Sequence, residues 1–177
     1  MDIWDAIAEE ASAESELWAA ALLPRDEQRL EPVFSPLSPA RFALGIETIY
    51  EGYLLHYGHP RLFQSDDPDT ALLLGDYLYA HGLVRVAEYE EAGAVADLAA
   101  LISLSAHLRA EGADGDGAAW AATAVLLGDG VLADGRAALR DRLDPGPLLD
   151  LATAAAGEDA VRRSLEAHAG RVRQRVR

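Results

Sequence analysis

The segment PDTALLLGDYLYAHGLVRVAE, residues 68–88, constrains the fold more than any other part of the chain. Asp67 ahead of Pro68 is an N-cap followed by proline at the first helical position. There the side chain accepts from free backbone N–H groups, and the missing proline N–H costs nothing. The residues behind it are helix formers, apolar on most of the circumference. A helix apolar nearly all round is normally central and buried. Gly75 and Gly82 are seven residues apart on one stripe, where a second backbone can approach closely. Such an element is expected inside a bundle of helices.

The flanking sequence is consistent with that expectation. Residues 3–22 are helix formers throughout, with Ile3, Ile7, Leu17, Trp18, Ala21 and Leu22 including helical spacings and Pro24 just past the end. Residues 24–38 hold Pro24, Pro32 and Pro36 and predict an extended Pro-rich connection. Ser38 and Pro39 predict a helix start, and Phe42, Ile46, Ile49, Tyr53 and Leu54 keep one face to about Tyr57. Further helices are expected over about 92–111, 117–127, 133–142 and 145–156, with a last one from Glu158. Segments of alternating β-branched residues are absent. The expected fold is all-α: a single domain over 1–177, a helical bundle of seven or eight helices, with a basic C-terminal tail over 171–177.

Charge is uneven along the chain. Thirty acids face fifteen basic residues, and every basic residue is Arg. The first 156 residues hold nine Arg against 27 acids, whereas the last 21 hold six Arg against three. An acidic body repels phosphate backbones, so nucleic acid is not an expected partner. The Arg-rich end suits the negative dipole end of a last helix. No apolar run reaches the roughly 20 residues of a membrane span. The N-terminus carries acids where a secretory leader carries basic residues, so a cytoplasmic protein is expected.

Few residues suggest chemistry. Neither a G-x-S-x-G elbow nor a phosphate loop occurs. His56 and His59 precede Asp66, Asp67 and Asp69, a ligand set of the right type for a metal. The same acids suit a helix N-terminus, and the capping role is the expected one. His81 is expected as a hydrogen-bonded core or interface histidine, and Trp4, Trp18 and Trp120 as packing anchors. No cofactor is expected.

Residues 45–112 resemble the trans-polyprenyl (isoprenyl) diphosphate synthase family. ALLLGDYLYAHGLVRVAE is similar to that family's A-x-L-x-G-D-Y-L-x-A-x-A segment. Upstream, Gly58-His59-Pro60 falls where the family has R-G-x-P, and GIETIYEGYLLHYG resembles the helix leading to the first aspartate motif. Downstream, AVADLAALISLSAHLRAEG resembles the helix that closes on a Gly-Glu pair. The resemblance implies an isoprenoid-synthase-like fold.

The departures from the family are as informative. Its enzymes hold Mg²⁺ and the substrate diphosphate with two DDxxD motifs. Here Tyr57 and Gly58 follow His56 where the first motif belongs, Tyr57 replaces the family Arg, and no second motif occurs. Asp129 and Asp134 are too scattered to form one. The chain is therefore expected to be a non-catalytic pseudoenzyme. Three readings stay open. It is an accessory or regulatory subunit of a catalytic polyprenyl diphosphate synthase, a pseudoenzyme holding an isoprenoid lipid, or a helical interaction or scaffold protein unrelated to isoprenoids. Self-association is a further option. Leu72, Leu73, Gly75, Asp76, Tyr77, Tyr79, Gly82 and Leu83 are the candidate packing, interface or cavity residues. Asp76 is expected to be a structural hydrogen-bonding group on a buried helix.

Overall fold

The computed structural model describes residues 2–172. Among the described residues nine α-helices follow one another: α1 Ile3–Glu14, α2 Glu16–Ala21, α3 Ala43–Tyr57, α4 Pro68–Ala87, α5 Ala92–Ala110, α6 Asp116–Val125, α7 Ala133–Arg142, α8 Gly146–Ala156 and α9 Glu158–Arg171. Two short 3-10 turns, Ser35–Leu37 and Ala40–Phe42, lead into α3. Extended pairing among the described residues is limited to the isolated bridges Leu22–Phe63 and Gly58–Val172. The all-α expectation holds. No helix among the described residues is long and apolar enough to cross a membrane. Most of the expected basic tail, residues 173–177, lies outside the described residues.

The first expected helix is in fact two. Ser15 is extended (φ −152°), and its hydroxyl accepts from Leu17 N–H, so it ends α1 and caps α2. A serine that competes with the backbone for hydrogen bonds breaks the run of helix formers here. The expected start at Ser38-Pro39 is also corrected. Ser38 Oγ donates to the Ser35 carbonyl, and the chain makes a 3-10 turn before α3 begins at Ala43. At Asp67 the structure agrees with the sequence, the carboxylate accepting from Asp69 and Thr70 N–H.

α3 is the central helix, with eleven of its fifteen residues buried from Gly45 to Leu55. One core gathers Phe34, Phe42, Tyr50, Tyr53 and Trp120 with the inner faces of α5, α6, α8 and α9. A second, smaller core gathers Trp4, Ile7, Leu55, Phe63, Leu74 and Leu78 where α1 crosses α3 and α4. α4 is not central, contrary to the sequence expectation. It packs on α3 along one face through Leu74, Gly75, Leu78, Gly82 and Val86, and turns Leu72, Leu73 and Val84 to solvent.

The α3–α4 seam is built on glycine. A Cβ at Gly52 would lie 2.8 Å from the Gly75 carbonyl oxygen, and one at Gly82 would lie 2.9 Å from the Gly45 carbonyl oxygen. Gly45 and Gly52 on α3 thus face Gly82 and Gly75 on α4, each pair spaced by seven residues. Only bare backbone fits there, so the close approach expected at Gly75 and Gly82 is made within the chain, by α3.

Candidate functional site: buried ion clusters and the outer face of α4 and α5

Charge inside the bundle is concentrated in three networks. The first joins Glu47 and Glu51 of α3 to Arg61, all three fully buried. One helical turn separates the glutamates, so both point to the same side. Glu47 Oε1 accepts from Val33 and Ser35 N–H at 3.1 and 3.0 Å, fastening the Pro-rich connection to α3. Glu51 Oε1 accepts from Arg61 and Leu62 N–H at 2.7 Å, fastening the chain after α3. The Arg61 guanidinium donates to both carboxylates and lies over the Trp4 ring at 4.6 Å. Burial alone would lower the Arg61 pKa. The two carboxylates outweigh it and raise the pKa above its ordinary value.

The second network ties α3, α5, α6 and α9 together. Tyr53 Oη donates to Asp116 Oδ2, Arg109 donates to Tyr53 Oη and pairs with Asp116 at 2.6 Å, and Tyr50 Oη meets His168 Nδ1 at 2.9 Å. His168 Nε2 lies 3.8 Å from Asp116 Oδ1, beyond hydrogen-bond reach, and is buried without a hydrogen-bond partner. Burial would raise the Asp116 pKa. His168, Tyr53 and Arg109 around it prevail and hold the carboxyl well below the usual range. The third network is Asp97 with Arg136 at 2.7 Å and Gly128 N–H at 2.8 Å. All three fix elements against one another.

The residues flagged from sequence divide between the two sides of α4. Gly75 and Gly82 form the seam. A Cβ at Gly75 would also strike the His56 ring, at 2.6 Å from Nε2. His56 stacks on Tyr79 at 5.1 Å, and its Nε2 lies 3.2 Å from Asp76 Oδ1 without hydrogen-bond geometry. Burial lowers the His56 pKa, and Asp76 offsets this in part. Asp76 itself is 64% exposed, which corrects its expected place on a buried face. Tyr77 stacks on His81 at 5.3 Å and meets the Trp18 edge. His81 binds Glu10 of α1 at 2.7 Å, in agreement with the hydrogen-bonded histidine expected. Leu83 is half-buried against the larger core.

The His56, His59 and Asp66–Asp69 set does not assemble. Asp67 is occupied as a cap and His59 is exposed, and among the described residues no three His, Asp or Glu side chains converge on a metal position. His56, Ser65 and Asp66 do border one cleft of about 280 Å³ beside Leu72.

The solvent side of α4 carries large apolar side chains, with Asp76 exposed among them. Leu72, Leu73 and Val84 of α4 are 51%, 58% and 58% exposed, and Tyr89 just beyond it is 46% exposed. Leu72 and Leu73 therefore face solvent and do not wall an enclosed cavity. On α5, Ala92, Ala96, Ala99, Ser103, Ala106 and Ala110 are exposed. These residues alternate four and three apart, the spacing of a row that lies straight along a helix. From Ala92 to Ala106 the one charged residue is Asp97, buried under Arg136.

The buried ion networks were missed in the sequence. The available signal was Glu47 and Glu51, two acids four apart inside an otherwise apolar period. No protein-family model matches the chain, and neither a curated protein nor a solved structure matches it.

Proposed function

We propose that the chain is a non-catalytic helical protein that works by binding another protein through the outer face of α4 and α5. The partner proposed first is a catalytic polyprenyl diphosphate synthase, and the chain is its accessory or regulatory subunit. The observation that carries the binding role is the exposure of Leu72, Leu73 and Val84 on a helix whose opposite face is fully packed. Large apolar side chains exposed on one helix face are a common mark of interaction sites in folded proteins. The choice of partner rests on the sequence resemblance of residues 45–112 alone. The partner is tested by its own experiment.

That experiment mixes the chain with a synthase carrying both DDxxD motifs and measures complex formation, prenyl-transfer rate and product length. A complex with altered rate or product length supports the proposal. In parallel, the chain alone is incubated with allylic diphosphate, isopentenyl diphosphate and Mg²⁺. Turnover well above background would overturn its non-catalytic character. The same exposed face supports a second reading, a helical interaction protein with no isoprenoid partner. Binding through Leu73 and Val84 to an unrelated protein would favour it.

A further inference from the structure

A cleft of about 370 Å³ lies between the Pro-rich connection and α9, remote from the α4–α5 face. One wall carries Glu31, Pro32, Val33, Pro36 and Leu37, and the other carries Ala160, Arg163, Ser164 and Ala167. We propose that this cleft binds a small amphipathic carboxylate, its apolar chain against Pro36, Leu37 and Ala167 and its carboxylate on Arg163 and Ser164.

Four observations support this. The volume falls within the range of ligand pockets, about 300–1,000 Å³. At about 30 Å³ per water-sized group it holds on the order of a dozen non-hydrogen atoms. Second, the wall is preformed. Pro32 and Pro36 fix their φ angles, and Glu47 holds Val33 and Ser35 by their N–H groups from within the core. Binding then costs little ordering of the loop.

Third, Arg163 has neither an ion pair nor a hydrogen bond among the described residues, in a chain where acids outnumber Arg two to one. Its neighbour Arg162 takes both nearby acids of α9, Asp159 and Glu166, and Arg171 takes Glu31 on the cleft rim. The guanidinium fork is thus left with its donors for a planar bidentate acceptor, which a carboxylate supplies. Fourth, with Glu31 of the lining paired to Arg171, Arg163 and the Ser164 hydroxyl remain to balance a single negative charge. A phosphate monoester, near two charges at neutral pH, would be half compensated within a strongly acidic protein.

The test is calorimetric titration of the full chain with four probes of equal tail, octanoate, octanol, octylamine and octyl phosphate, together with amide NMR mapping. Octanoate is expected to bind most tightly and to shift the amides of Val33, Leu37, Ser164 and Ala167. Arg163→Gln is expected to weaken octanoate about tenfold or more, the size of a lost charge-assisted pair. Arg142→Gln, an exposed arginine on α7 remote from the cleft, is expected to change nothing. Absence of octanoate binding, equal binding of octanol or octylamine, tighter binding of octyl phosphate, or full affinity in Arg163→Gln would each overturn the proposal. So would shifts confined to Leu72, Leu73 and Val84. None of these outcomes bears on the protein partner proposed above, which is read at a different face.

Discussion

Gly52 of α3 and Gly75 of α4 touch backbone to backbone: a Cβ added to Gly52 would sit 2.8 Å from the Gly75 carbonyl oxygen. This contact and its counterpart at Gly45 and Gly82 set how closely the two helices pack. Alanine is normally the better helix former by about 1 kcal/mol. Here the close contact reverses the sign. Gly52→Ala and Gly82→Ala are expected to destabilise the fold by about 1–3 kcal/mol, the usual range for overpacking. Gly170→Ala on α9, with open space around its Cβ position, is expected to be neutral or slightly stabilising. Urea denaturation of the three variants checks the contrast.

The Glu47–Glu51–Arg61 network gives a second expectation. Arg61→Met would leave two carboxylates buried without a countercharge, a change worth about 3–5 kcal/mol. The loss should exceed that of any single surface Arg substitution, such as Arg25→Met, whose pair with Asp5 is largely exposed and is worth about 1 kcal/mol or less. Thermal and urea unfolding of the two variants provide the comparison.

Acid stability follows from Asp116. Its pKa is lowered in the folded chain, so the unfolded state takes up the proton first. Its stabilising contribution is therefore present above the ordinary carboxylate value, about 3.9, and is lost as pH falls toward the lowered native value. Asp116→Asn is expected to reduce stability at neutral pH and to flatten the acid limb of the stability curve. An unchanged acid limb in the variant would show that other carboxylates dominate it.

His56 titrates in the opposite chemical sense, with the same direction in pH. Burial lowers its pKa and Asp76 raises it in part. Above about 6.5, the ordinary histidine value, the ring is neutral in both states and costs nothing. As pH falls from there toward the lowered native value, the unfolded state protonates first and stability declines. Asp76→Asn removes the raising influence, so the His56 pKa is expected to fall further. Histidine ring NMR titration of the two proteins reads it directly.

Several features were legible in the sequence for physical reasons. Asp67-Pro68 is a local capping signal and needs no tertiary information. Gly75 and Gly82 announced a close approach because few other roles account for two glycines at helical spacing inside a strong helix. The side of α4 that would be buried was not legible. ALLLGDYL is apolar around its circumference, and periodicity cannot choose a face when nearly every face qualifies. That ambiguity is why the helix reads as central while Leu72 and Leu73 stand in solvent. The Ser15 break lay hidden in a run of helix formers. Glu47, Glu51 and Arg61 form one site from positions up to fourteen residues apart, and their pairing depends on how the chain returns after α3. Arg109, Asp116 and His168 come from three separate helices, beyond any local pattern.

Protein binding through the outer face of α4 and α5, as proposed, is tested at Leu73 and Val84. Leu73→Glu with Val84→Glu changes only exposed positions, so folding stability is expected to stay within about 0.5 kcal/mol per site. The direct measurement is sedimentation velocity of the chain mixed with a DDxxD-bearing polyprenyl diphosphate synthase, with the double variant in parallel. A mixed complex is expected for the native chain and separate species for the variant. A synthase whose sedimentation, rate and product length are all indifferent to the native chain would rule out the proposed pairing.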